Sequence, residues 1–327
     1  MFVTASAVFF HSGCDRNRTQ DQLRAELRAS LQIPIYKNPL EPELVASWKK
    51  RETVFERVRF QGRRDDFIPA LICYSELAKT RPLPVILCMP GSPNRKEDLL
   101  HPVQLLTRLA RRGYFVVSID RPYHGERDGD SNTAILQKGV TRVLGEYVYD
   151  LMRTVDYVQT RTEADGKRIG MLGLSMGGME ALLMGALDSR VGVVVSVAGQ
   201  ISWDEIFSAG SWKTVFPGFT LTRKLIRSNA TNSNALEAFK REFPDMDNID
   251  SSKISKLVSP KPLLLMTGDE DRFVPPSSTL KTYNETLVEY QASDVANRIS
   301  VWIEPEIGHA FSKEMEKRAL EWFTTWL

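Results

Sequence analysis

Apolar positions along the chain switch between helical and strand-like spacing, and the switches outline its elements. Residues 15–31 are charged but carry Leu23, Leu27 and Leu31 at helical spacing. An amphipathic helix packed on the main body is expected there. Ile33-Pro34 ends it, since the residue before proline avoids the helical region. Residues 35–50 read as a polar, proline-bearing connection. The period then shortens. Residues 53–60 alternate loosely, and 67–74 follow a turn at 62–66. The runs 84–89 and 114–119 are almost wholly apolar, as strands covered on both faces are. Further strand-like runs at 168–172, 191–197, 262–266 and 298–303 bring the number to eight. Helical stretches at 97–112, 140–160, 176–187, 280–290 and 313–326 fall between and after them. Such alternation predicts a mostly parallel eight-stranded sheet with helices on both faces.

Residues 199–256 break this rhythm. They carry Trp203, Phe207, Trp212, Phe216, Phe219 and Phe243 between polar intervals, with no long strand-like run. A mainly helical, cap-like insertion after the sixth strand is expected. The chain thus divides into a leader and helical extension at 1–50 and an α/β domain at 51–327 that contains the insertion. Trp203, Phe207, Trp212 and Phe216 have two readings, as the lining of an acyl or aryl pocket or as the insertion's own core.

Composition narrows the function. With 327 residues, 42% of them hydrophobic, the chain suits one large domain. A net charge of +2, from 43 basic and 41 acidic residues, makes no case for nucleic acid or acidic substrates. Lys49-Lys50-Arg51 reads as a solvated face. Cys73 and Cys88 sit inside apolar runs as buried thiols, and with Cys14 the odd count argues against a disulfide framework. No ligand spacing suggests a metal, and no glycine-rich loop suggests a nucleotide, so no cofactor is expected. No run is long enough to span a bilayer. Residues 2–10 are mostly apolar and lead into His11-Ser12-Gly13-Cys14, like the end of a bacterial lipoprotein signal. The segment is short and lacks a basic start. Two destinations therefore stay open, the cytoplasm, or export with a lipid anchor on Cys14 if the signal is clipped. A homo-oligomer is compatible with the sequence.

The candidate chemistry begins at Gly173-Leu174-Ser175-Met176-Gly177, between a strand and a helix. A serine on such a turn presents its hydroxyl to a base. Asp269 and Asp271 lie just past the run ending at 266, and His309 just past the run ending at 303. Ligand chemistry in open α/β sheets collects beyond these strand ends.

With Gly173 to Gly177, the Gly268-x-x-Asp271-x-x-Val274-Pro275 pattern and Gly308-His309, the chain resembles the α/β-hydrolases. It is nearest to the branch of dienelactone hydrolases, acetyl-xylan esterases and prolyl-oligopeptidase-like enzymes. The resemblance spans about residues 53–327. It implies Ser175 as nucleophile, Asp271 as acid in preference to Asp269, and His309 as base. It implies oxyanion donors at the N–H groups of Met176 and Ser92, with Gly91 next. Relatives often carry His-Gly where this chain has Pro90-Gly91. The segment Asp120-Arg121-Pro122-Tyr123-His124-Gly125 resembles a loop that shapes the floor of the site, which makes His124 a structural histidine. The activity implied is a serine carboxylesterase acting on small or medium acyl or acetyl esters. A peptidase or amidase of the same mechanism and a non-catalytic binding protein on this fold are the alternatives.

Overall fold

The computed structural model describes residues 19–63, 66–101, 103–216 and 218–327. Cys14, His11 and the leader lie outside the described residues. Among the described residues, nine strands form one sheet: β1 Glu43–Lys50, β2 Thr53–Gln61, β3 Phe67–Ser75, β4 Leu83–Met89, β5 Phe115–Ile119, β6 Ala164–Leu174, β7 Val191–Val197, β8 Leu263–Gly268 and β9 Ile299–Glu304. Their order is β1-β2-β3-β5-β4-β6-β7-β8-β9. The pairings from β5 through β9 are parallel, and those of β1, β2 and β3 are antiparallel. This is an α/β-hydrolase sheet with one strand more than expected. The extra strand is β1, in the stretch read as a polar connection. Every residue of β1 is exposed, so no buried face marks it in the sequence. It exists by pairing with β2, and its charged side chains protect an open edge.

Among the described residues, twelve α-helices precede, connect or follow these strands: α1 Gln20–Ser30, α2 Leu105–Arg111, α3 Ser131–Lys138, α4 Val140–Val158, α5 Met176–Leu187, α6 Trp203–Ser208, α7 Trp212–Val215, α8 Thr220–Arg227, α9 Asn232–Glu242, α10 Ser251–Lys256, α11 Pro276–Ala292 and α12 Lys313–Trp326. One core lies between the sheet and a layer that includes α1, α4, α5 and α11. The other lies beneath α2 and α12. Leu27 and Leu31 bury the predicted face of α1, and Thr19 caps it with a reciprocal box to Gln22.

The expected helix over 97–112 is split into a tight turn at Lys96–Leu99 and α2. Gln104 adopts φ 55°, which helical continuation does not allow. The turn is held from below: the Lys96 backbone N–H and ammonium both bind Asp120, at 2.9 and 2.6 Å. The α3 helix was not expected. Its signal is Asp130, whose side chain accepts from the Thr133 N–H at 2.7 Å.

The stretch after β7 forms α6 to α10. Its neck is closed by Ile201 N–H donating to Ser251 Oγ at 2.7 Å, and Ser251 N–H to Ile201 O at 2.8 Å. Phe207 stacks on Trp212, and Phe239 meets both edge-on and Phe216 at a tilt, with centroids 5.1 to 6.4 Å apart. Trp203 stacks on Phe216 at 6.1 Å and donates its indole N–H to Met246 O. Trp203, Phe207 and Trp212 are buried, so these aromatics are packed as core. Among the described residues no helix is long and apolar enough to cross a membrane.

Candidate active site

Ser175 sits between β6 and α5 with φ 56° and ψ −118°. That backbone is strained for a residue with a side chain, and the surroundings enforce it. A Cβ on Gly173 would lie 1.9 Å from Gly177 O, and one on Gly177 would lie 2.4 Å from Met89 O. Both positions therefore accept only glycine. The Ser175 N–H binds Val197 O at 2.8 Å, which ties the turn to the neighbouring strand end. The side chain is left half-buried.

Asp271 lies in the loop after β8 and is 4% exposed, whereas Asp269 is exposed. Its Oδ1 accepts from the N–H groups of Phe273 and Val274, at 2.8 and 2.9 Å. Its Oδ2 accepts from His309 Nδ1 at 2.8 Å and from Thr267 Oγ1 at 3.2 Å. Four donors converge on one carboxylate, which balances its removal from water. They also place the proton of His309 on Nδ1 and leave Nε2 as an acceptor. The ring of Phe273 covers the imidazole at 4.8 Å. Sequence reasoning missed Thr267, since nothing local distinguishes this strand-end threonine from any other.

Ser175 and His309 share the edge beyond the strand ends. Among the described residues no hydrogen bond joins Ser175 Oγ to His309 Nε2, a contact that often tightens only around substrate. The Met176 N–H opens α5 and has no acceptor within the helix. Facing it is the loop 90–94. A Cβ on Gly91 would lie 3.1 Å from Ser175 Cβ and 3.7 Å from Oγ, so this loop borders Ser175. Ser92 is exposed beside it.

The loop is anchored from below by the segment after β5. Arg121 Nη2 donates to Pro90 O at 2.6 Å. Ser92 Oγ meets His124 Nε2 at 2.9 Å, and His124 Nδ1 meets Pro122 O at 2.9 Å. A carbonyl only accepts, so Nδ1 carries the proton and Ser92 donates to Nε2. Burial, with Arg121 nearby, lowers the His124 pKa to about 4. Arg121 is buried and pairs with Glu180 of α5 at 2.9 Å. Asp120 holds Lys96, itself 1% exposed. Lys96 and Glu180 had not been singled out in the sequence, because their partners are remote in the chain. His101 is exposed in the turn between Lys96–Leu99 and α2. Among the described residues no three His, Cys, Asp or Glu side chains gather to hold a metal ion.

Comparison with known proteins gives this arrangement a setting. The model of the prolyl oligopeptidase family matches residues 102–327. "Putative hydrolase YtaP" of Bacillus subtilis (strain 168) is 26% identical over 234 residues, covering 70% of this chain and 71% of that protein. "Putative esterase YitV" of the same organism is 25% identical over 273 residues, covering 83% of this chain and all of that protein. The solved structure of acetyl xylan esterase 1 from Thermoanaerobacterium sp. JW/SL YS485 superposes with a TM-score of 0.69 at 19% identity, over 94% of this chain and 93% of that one. A glucuronoyl esterase from Solibacter usitatus superposes with a TM-score of 0.67 at 14% identity, over 92% and 91%.

Proposed function

The chain belongs to the prolyl oligopeptidase family, and from that premise we propose that it hydrolyses carboxylic esters through an acyl-serine intermediate. The observation that carries this reading is the buried Asp271 carboxylate, which orients His309 at the strand edge where Ser175 is presented. In the first half-reaction His309 Nε2 takes the Ser175 proton as Oγ bonds to the acyl carbon. The developing oxyanion lies between the N–H of Met176 and that of Ser92, with Gly91 as the neighbouring donor. The carbon–oxygen bond to the alcohol then breaks, and His309 gives its proton to the departing alkoxide. Water deprotonated by His309 attacks the acyl carbon. The carboxylic acid leaves as the proton returns to Ser175 Oγ.

The relatives' names support esters as the substrate class and, through the acetyl xylan and glucuronoyl esterases, esters of carbohydrates. The family's own name favours a second reading, cleavage of peptide or amide bonds by the same attack. Turnover of p-nitrophenyl acetate and butyrate beside aminoacyl anilides separates the two. Ester hydrolysis is expected to dominate. Ser175→Ala should lower kcat by about 10⁴-fold or more, and Asp271→Asn by about 10³- to 10⁴-fold. Asp269→Asn should stay within a few-fold of the parent. A Ser175→Ala variant as active as the parent would end the proposal.

A further inference from the structure

Phe273 stands in the loop after β8, two residues past Asp271. Its ring centroid lies 4.8 Å from that of His309, with 37° between the planes. Among the described residues it makes no other aromatic contact. It belongs to neither hydrophobic core and is 42% exposed, while its neighbour Val274 is 3% exposed. A large apolar side chain left this open adds little to folding. Its backbone is fixed on both sides. The Phe273 N–H donates to Asp271 Oδ1 at 2.8 Å, and the preceding carbonyl, Arg272 O, accepts from Thr214 Oγ1 at 3.0 Å.

We infer that Phe273 is a positioning residue for His309, its ring setting the imidazole plane that the bond to Asp271 leaves free to tilt. The inference rests on the roles proposed above for Ser175, Asp271 and His309. The bond from Nδ1 to Asp271 Oδ2 fixes one end of the imidazole. A tilt of about 30°, which a hydrogen bond tolerates, carries the far nitrogen Nε2 by about 1 Å. Misplacement of that size costs up to about 100-fold in rate. A second contact, against the face of the imidazole, removes this freedom, and Phe273 supplies it. One residue thereby serves both partners, the acid through its backbone and the base through its side chain. The same ring covers one face of a side chain that is 19% exposed, which keeps water from the Nδ1–H bond. When His309 takes the Ser175 proton, the imidazolium forms against an aromatic ring, which favours the cation.

The test is Phe273→Ala beside Phe273→Tyr, read by p-nitrophenyl butyrate turnover, thermal unfolding and the downfield proton resonance of His309 Nδ1–H. Phe273→Ala should lower kcat about ten- to a hundredfold with KM within about twofold. Phe273→Tyr should keep kcat within about threefold of the parent, since its ring presents the same face. Tm should stay within about 2 °C in both, because neither core is touched. The Nδ1–H resonance should broaden in Phe273→Ala through exchange with water and stay sharp in Phe273→Tyr. In the Asp271→Asn background, Phe273→Ala should cost less than about threefold, because both residues act through one imidazole. A Phe273→Ala kcat within about twofold of the parent overturns the inference. So does a loss carried by KM, which places the ring against substrate, or a loss matched by a fall in Tm. No Ser175-dependent turnover of any ester defeats the esterase reading itself. The proton resonance needs no substrate and then decides for Phe273: a resonance unchanged in Phe273→Ala overturns its role.

Discussion

His124 does its work through Ser92. Its neutral ring accepts the Ser92 hydroxyl, while Arg121 holds the carbonyl two residues earlier, so the Ser92 N–H is aimed by contacts outside the reacting centre. Replacing His124 with Phe should lower kcat about tenfold with little change in KM, as loss of aim at one of the two proposed oxyanion donors would. Acid should act similarly. The folded pKa of about 4 lies below the ordinary 6.5. Between those values the unfolded chain takes up a proton that the folded chain refuses. The stability contributed by neutral His124 is therefore complete above pH 6.5 and is lost as pH falls towards 4. It amounts to at most about 3 kcal/mol. Urea unfolding at pH 7 and pH 4 should show a loss smaller by about that amount in His124→Gln. Equal losses in the two proteins would contradict it. That His124 is structural was legible from the loop it resembles, but its partner was not. Ser92 is 32 residues away, and only the fold brings them together.

At the scale of elements, α5 does more than follow Ser175. It carries Glu180 beneath the site, fully buried against Arg121. Burial raises the Glu180 carboxyl to about 7, against the pull of Arg121. Glu180→Ala leaves a buried guanidinium without its counter-charge and should destabilise the protein by about 3–5 kcal/mol. Replacing both residues with Met should recover much of that stability, since the pair's desolvation is removed with it. Activity should stay low in the double variant, because Pro90 O loses its donor. Thermal unfolding beside ester turnover separates the two effects. Elements whose apolar residues repeat at helical spacing, such as α4, or run almost unbroken, such as β4 and β5, were legible in the sequence. The strand β1 was not, because all its side chains meet solvent and its pairing partner alone makes it a strand.

For the whole molecule, the stretch after β7 reaches the loop that carries Asp271 through Thr214 Oγ1, which donates to Arg272 O at 3.0 Å. Its aromatic residues form a core centred on Phe239, which is 1% exposed. Phe239→Ala should cost about 3–5 kcal/mol, while the ratio of p-nitrophenyl butyrate to acetate turnover stays within about twofold of the parent. A large change in that ratio would return these aromatics to the substrate's path. The sequence by itself determined the alternation of strands and helices, the glycine-flanked serine, and the succession of serine, acid and histidine past strand ends. Those features are local, written in spacing and in residues that tolerate few backbones. Only the tertiary structure decided which groups meet: four donors on Asp271, the anchors beneath Ser92, the aromatics turned inward and the ring of Phe273 over His309. Each depends on segments far apart in the chain being packed face to face, and the burial that selects such contacts exists only once the sheet has formed.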